Sequence, residues 1–261
     1  MIRLPLAALA MAALAFAVPV EAKSLTVGAN VGNVPWEFQD ANSEVVGFEV
    51  ELVKEVAKRM GYDDVAIENI PFNGLFSAVQ SGRIDAAISS ITITKKRLES
   101  VSFAQPYYDS DQSLSVLKAS GIEGLSGLKG KVVGVDTGST GDIYATEHEK
   151  ELGLSEIRRF EGLSPAMLDL AAGRIDGYIS DIPAVAYYIK DKPDYAVVER
   201  IKTGEQYSVM FAKDSPLVAQ ATTALTALKQ DGFLANLHEK WFGTAPDAST
   251  STVTVADAPK P

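Results

Sequence analysis

One phrase occurs twice in this chain. It reads Ser81-Gly82-Arg83-Ile84-Asp85-Ala86-Ala87-Ile88-Ser89-Ser90-Ile91, and it returns as Ala172-Gly173-Arg174-Ile175-Asp176-Gly177-Tyr178-Ile179-Ser180-Asp181-Ile182. Each copy follows a helical pattern, passes a glycine suited to a helix C-terminus, and runs into a short apolar strand. Each strand then stops on small or acidic polar residues. A chain that builds the same helix-to-strand unit twice predicts an α/β fold with two lobes. In open parallel sheets, ligands bind beyond the carboxyl ends of the strands. Two facing units therefore predict one ligand between them. Gly-Arg-Ile-Asp reads as a structural turn, which assigns Arg83, Asp85, Arg174 and Asp176 to the scaffold. The chemistry falls to the residues that follow: Ser89, Ser90, Thr92 and Arg97 after one copy, Ser180 and Asp181 in the other.

Periodicity fills in the elements. Strands are expected at 24–29, 65–70 and 84–89. Helices are expected at 47–60, where Phe48, Leu52, Val53, Val56, Ala57 and Met60 recur at helical spacing, and at 73–80 with Asn73 as cap. This βαβαβ order implies a mostly parallel sheet. A short helix opens at Thr94-Lys95-Lys96-Arg97, and 103–108 reads as a loop. The pattern then restarts, with strands at 131–135, 156–160 and 175–180. Helices are expected at 139–152, 163–172, 182–189, 216–230 and 233–241. Extended segments near 110–117 and 203–211 read as two crossings between the lobes. They divide the chain into 24–109 plus 212–243 and 114–206, with a two-strand hinge between.

The ends limit where such a protein works. Arg3, the apolar run Leu4–Val18 and the small-x-small site Val20-Glu21-Ala22 form an export signal, cut after Ala22. The apolar run is shorter than the about 20 residues of a spanning helix. The expected location is the periplasm. Residues 244–261 are small, polar and flanked by proline, which predicts a disordered tail. The chain has no cysteine, which excludes disulfides, thiol catalysis and thiolate metal sites. Its net charge of −10 argues against nucleic acid and anionic membranes as partners. His148 and His238 have no ligand-like spacing, so no metal or cofactor is expected.

Several stretches carry a family resemblance. They are Val34-Pro35-Trp36-Glu37-Phe38, Gly47-Phe48-Glu49-Val50-Glu51-Leu52, and Ile88-Ser89-Ser90-Ile91-Thr92-Ile93-Thr94-Lys95-Lys96-Arg97. Phe103-Ala104-Gln105-Pro106-Tyr107-Tyr108, Leu128-Lys129-Gly130-Lys131-Val132-Val133-Gly134-Val135 and Gly138-Ser139-Thr140-Gly141 follow in order, before the second repeat and Asp181. In this order the chain resembles the periplasmic solute-binding proteins that feed polar amino acids to ABC importers. The resemblance implies a type II two-lobed periplasmic-binding-protein fold, a non-catalytic receptor acting as a monomer, and a membrane permease as partner. It also places Phe72 in the ligand wall.

The residues suit that ligand. An α-amino acid presents a carboxylate and an ammonium a short distance apart. Arg97 can grip the carboxylate through two parallel hydrogen bonds, with Ser90 and Thr92 as further donors. Ser139 and Thr140 open a helix whose free N–H groups favour an anion. Asp181 can accept from the ammonium. Trp36 and Tyr107 read equally as core or cleft. The resemblance puts Asn33 where many relatives carry an aromatic residue, and Asn30 where some lysine or arginine binders carry an acid. Asp136 stands where the family often faces the ligand side chain, and an acid there can pair with a cation or accept from an amide. The ligand is thus expected to be a polar amino acid, with a lean to a basic or amide side chain. Two alternatives remain: a cyclohexadienyl-type dehydratase drawing on Glu37, Asp142 or Asp181, and a sensor for a signalling partner.

Overall fold

The structure is a computed structural model and describes residues 22–261. The export signal falls, but for Ala22, outside the described residues. β1 (Ser24–Ala29) leads through a small ribbon, β2 (Phe38–Gln39) and β3 (Val45–Val46), into α1 (Phe48–Arg59). β4 (Asp64–Asn69), α2 (Phe72–Gln80) and β5 (Ala86–Ala87) follow, then α3 (Lys95–Leu98), β6 (Val101–Phe103) and the long β7 (Tyr108–Leu117). The second series is β8 (Val132–Asp136), α4 (Thr140–Leu152), β9 (Glu156–Phe160), α5 (Leu163–Ala171) and β10 (Gly177–Asp181). α6 (Ile182–Ile189), β11 (Tyr195–Tyr207), β12 (Met210–Ala212), α7 (Leu217–Gln230) and α8 (Phe233–Phe242) come last.

Two five-stranded sheets result, ordered β4-β1-β5-β12-β6 and β11-β7-β10-β8-β9. They are built alike. β1 lies parallel between β4 and β5, and β8 parallel between β9 and β10. The other pairings are antiparallel, so both sheets are mixed rather than mostly parallel. The difference comes from β6, β7, β11 and β12, the strands that flank the passage between sheets.

The repeat does the same mechanical work twice. Its strands, β5 and β10, are the central strands of the two sheets. Asp85 Oδ2 accepts from Thr26 N on β1 at 2.8 Å, and Asp176 Oδ2 accepts from Val132 N on β8 at 2.9 Å. Each Asp thus pins the parallel neighbour into register. The preceding isoleucine packs on a glycine of that neighbour. A Cβ on Gly28 would lie 2.5 Å from Ile84 Cδ1, and one on Gly134 would lie 2.6 Å from Ile175 Cδ1. Gly134→Ala is therefore an overpacking mutation, expected to cost about 1–3 kcal/mol. Thermal unfolding checks it, and an unchanged melting temperature would mean that the isoleucine has room to move.

The chain leaves the first sheet after Phe103, joins the second at Tyr108, and returns between Tyr207 and Met210. The segments expected to be crossings, 110–117 and 203–211, are mostly strand, because β7 and β11 pair along their length. Trp36 and Tyr107 are fully buried core residues. Trp36 meets Phe48, Tyr108 and Tyr207 edge-on. Tyr108 and Tyr207 stand opposite each other on β7 and β11 and stack at 5.8 Å.

Two further expectations are corrected. Asn73 does not cap α2: Pro71 holds the cap position, no side chain bonds the first turn, and Phe72 enters the helix. The segment after Thr244 is ordered, with Ser251 and Thr252 buried. It is held by hydrogen bonds rather than apolar contact. Ser251 N donates to Asp109 Oδ2 at 2.8 Å and Thr252 Oγ1 to Tyr107 O at 3.1 Å.

Candidate functional site

Between the sheets lies a cavity of about 680 Å³, its mouth included. Asn33, Phe72, Ser89, Ser90, Thr92 and Arg97 line it from the first half, and Asp136, Ser139, Thr140 and Asp181 from the second.

Beyond β5 the backbone turns sharply. Ser90 has φ +44°, a left-handed conformation that costs a non-glycine residue roughly 1–2 kcal/mol. Glu49, in the first turn of α1, holds it there. Its carboxylate accepts from Ser90 N at 2.9 and 3.0 Å. Ser90 Oγ then donates to Asp181 Oδ2 across the cleft at 3.3 Å and accepts from Asn33 Nδ2 at 3.2 Å. Ser89 Oγ donates to Glu37 Oε1 at 2.6 Å. Glu37 and Glu49 are wholly buried against one another. Burial, reinforced for Glu37 by the Glu49 charge, pushes both carboxyls above their ordinary range.

Arg97 follows a Thr94 cap, whose Oγ1 accepts from Arg97 N at 3.1 Å. The cap turns the guanidinium inward. Its centre sits 5.3 and 5.2 Å from the ring centroids of Phe72 and Phe76, a cation–π arrangement. Nη1 donates to Thr92 O at 2.7 Å and Nη2 to Gly138 O, in the other half, at 3.2 Å. Burial lowers its pKa to about 10, opposed by the charges of Glu205 and Asp181. The group remains a cation at neutral pH.

The second half supplies the carboxyl groups. Asp181 ends β10 next to α6, but its side chain makes no cap bond to that helix. It faces the cavity instead, accepting from Ser90 Oγ and Gln112 Nε2. Burial, then the Glu205 charge, pushes its pKa well up. Asp136 ends β8. Its Oδ2 accepts from Tyr178 OH at 2.8 Å, while its buried Oδ1 has no partner. Burial raises its pKa to about 7 against the pull of that hydrogen bond, and the Glu161 charge adds to the rise. Ser139 caps α4, its Oγ accepting from Asp142 N at 3.1 Å. Among the described residues, no cluster of three or more His, Asp or Glu is arranged to hold a metal.

One guanidinium and three carboxyl groups at the cavity wall, Asp136, Glu161 and Asp181, suit a dipolar molecule with a further cationic or donor group. A family model described as bacterial extracellular solute-binding proteins, family 3, matches residues 25–244. The chain belongs to this family. It is 34% identical over 224 residues to the arginine-binding extracellular protein ArtP of Bacillus subtilis (strain 168), covering 84% of this chain and 86% of that one. It is 32% identical to the histidine-binding periplasmic protein of Salmonella typhimurium, over 84% of this chain and 88% of that one. Among solved structures it resembles the arginine-, lysine-, histidine-binding protein ArtJ of Geobacillus stearothermophilus. The TM-score is 0.81 at 33% identity, covering 87% of this chain and 98% of that one.

Sequence reasoning missed Gln112 and Glu161 in the wall of this cavity, and Glu205 behind it. Glu205, on β11, accepts from Thr92 Oγ1 at 2.5 Å, Thr140 Oγ1 at 3.0 Å and Gln112 Nε2 at 3.0 Å. Gln112, on β7, lines the cavity. The polar run Ser110-Asp111-Gln112-Ser113, buried inside a strand, was the available signal. Of the carboxylates named for a dehydratase, only Asp181 lines the cavity. Glu37 lies behind Ser89, and Asp142 accepts from Gly138 N and Arg159 Nε.

Proposed function

We propose that this chain is a periplasmic receptor, cut after Ala22, that binds a polar L-amino acid between two closing lobes and delivers it to an ABC importer. The observation that carries the reading is the pairing of Arg97 and Asp181, a cation and an anion reaching one cavity from opposite halves. Arg97 takes the ligand carboxylate, with Ser90, Thr92 and the start of α4 beside it, and Asp181 takes the ammonium. Charge-assisted hydrogen bonds contribute roughly 1.5–3 kcal/mol each. A few of them, less the cost of ordering, reach the about −8 kcal/mol of a micromolar complex.

Closure is supported by contacts that span the cleft: Ser90 to Asp181, Thr92 to Glu205 and Arg97 to Gly138. The hinge is assigned to 104–107 and 208–209, where the chain passes between the sheets. The unpartnered Asp136 Oδ1 favours a side chain ending in a cation or an amide N–H. The named ligands of the relatives agree, since arginine, lysine and histidine recur among them. Calorimetry against the twenty amino acids tests the proposal. Micromolar or tighter binding is expected for at least one of arginine, lysine, histidine and glutamine. Binding of leucine with none of these would overturn it.

A further inference from the structure

We propose that residues 247–256, the segment beyond α8, form a clasp across the hinge that favours the closed arrangement of the lobes and so sets affinity from outside the cavity. The idea rests on the receptor reading for its consequence, but its geometry is separate from the site. Asp109 on β7 and Gln206 on β11 stand directly opposite each other, just beyond the passage between sheets. Ser251 joins them. Its N donates to Asp109 Oδ2 at 2.8 Å, its Oγ donates to Asp109 Oδ1 at 2.5 Å, and Gln206 Nε2 donates to that Oγ at 2.7 Å. Gln206 Nε2 also reaches Asp109 Oδ1 at 3.0 Å. Both hinge strands are thus tied to one residue of the segment.

Further bonds follow the same line toward the first sheet. Thr252 Oγ1 donates to Tyr107 O at 3.1 Å, and Ala256 N to Gln105 Oε1 at 3.1 Å. Lys229 of α7 fastens the far end. Its buried ammonium donates to Gln105 Oε1 at 2.8 Å, Pro106 O at 2.7 Å and Thr254 O at 2.8 Å. A buried cation needs all its acceptors, so losing Thr254 O would loosen the passage at 105–106 as well. The clasp also reaches the site. Gln206 O accepts from Ile93 N at 2.9 Å, next to Thr92, and Glu205 next to Gln206 accepts from Thr92 and Thr140. Rotation at 104–107 and 208–209 must carry Asp109 and Gln206 together away from Gln105 and α7, and the segment is bonded on both sides, through Ser251 to the one pair and through Thr254 and Ala256 to Lys229 and Gln105.

A receptor that is closed only part of the time binds more weakly by that fraction. Two variants separate the clasp from the fold: deletion of residues 246–261, and Ser251→Ala in the full chain. The chain lacks cysteine, so Lys54→Cys on α1 and Lys150→Cys on α4 can carry a dye pair, one on each half. The deletion is expected to lower energy transfer in the ligand-free protein and weaken amino acid binding roughly five- to tenfold at unchanged stoichiometry. Ser251→Ala should change both in the same direction, by less. If the deletion variant fails to fold, Ser251→Ala alone decides. Energy transfer equal to that of the intact protein would overturn the clasp. Failure of the intact protein to bind any amino acid would overturn the receptor reading, while the ligand-free transfer would still test the clasp.

Discussion

Arg97→Ala is expected to weaken binding of every α-amino acid by at least about a hundredfold while the protein still folds. Two of the five N–H donors of the guanidinium are spent on Thr92 O and Gly138 O. The rest can form a two-point grip on a ligand carboxylate, in a place walled by Phe72 and Phe76. Without the guanidinium, the incoming carboxylate would be buried with no partner charge. Removing one member of a buried ion pair costs roughly 3–5 kcal/mol, and each 1.4 kcal/mol is a factor of ten. The fold should tolerate the change, since α3 keeps its Thr94 cap and Leu98 stays buried. Arg97→Lys should fall between, retaining the charge but not the planar fork. Asp181→Ala is the mirror experiment, leaving the ammonium unpaired. Calorimetry beside a melting curve reads both. Near-normal affinity in a folded Arg97→Ala protein would remove Arg97 from the site.

The two halves were legible in the sequence because Gly-Arg-Ile-Asp performs one local task in each. Isoleucine covers a glycine of the adjacent strand and aspartate pins that strand's register. Most of the ten candidate side chains were legible for a related reason. They lie at strand ends and helix starts, where polar residues interrupt an apolar pattern. Gln112 in the cavity wall and Glu205 behind it were hidden because the pairing of β7 with β11 brings them there, and its register is a long-range fact. Ser90 showed its hydroxyl in the sequence but not its left-handed backbone, which depends on Glu49 arriving from α1. The segment beyond Thr244 misled for a physical reason. Composition reports apolar burial, whereas this segment docks through hydroxyl and backbone hydrogen bonds to Tyr107, Asp109 and Gln206.

Asp136→Asn should change which amino acids bind rather than whether any do. Asp136 has one oxygen engaged by Tyr178 and one buried without a partner at the cavity wall. A cationic side chain that reaches it gains a charge-assisted hydrogen bond worth roughly 1.5–3 kcal/mol. Replacing the acid by its amide should therefore weaken arginine or lysine about ten- to a hundredfold, while glutamine changes little. The pH dependence supplies an independent check, and its sign follows from the group. Burial holds the Asp136 carboxyl near 7, opposed by the Tyr178 hydrogen bond and assisted by the Glu161 charge. The empty site is thus partly protonated at neutral pH. A ligand cation requires the ionised form, so binding must expel a proton below about pH 7. Affinity for a cationic ligand should rise with pH, by up to about tenfold per unit, and level off above 7. In the proposed pose Asp181 meets the ammonium of every ligand, which adds a background common to all of them. The ratio of arginine to glutamine affinity cancels that background. It should climb between pH 5.5 and 8 in the native protein and stay flat in Asp136→Asn. The same raised pKa makes the ligand-free protein less stable as pH rises from about 4, the ordinary aspartate range, through 7, because its folded form binds the extra proton. If the affinity ratio is flat in the native protein too, Asp136 does not face the side chain, and the lean toward basic ligands loses its structural support.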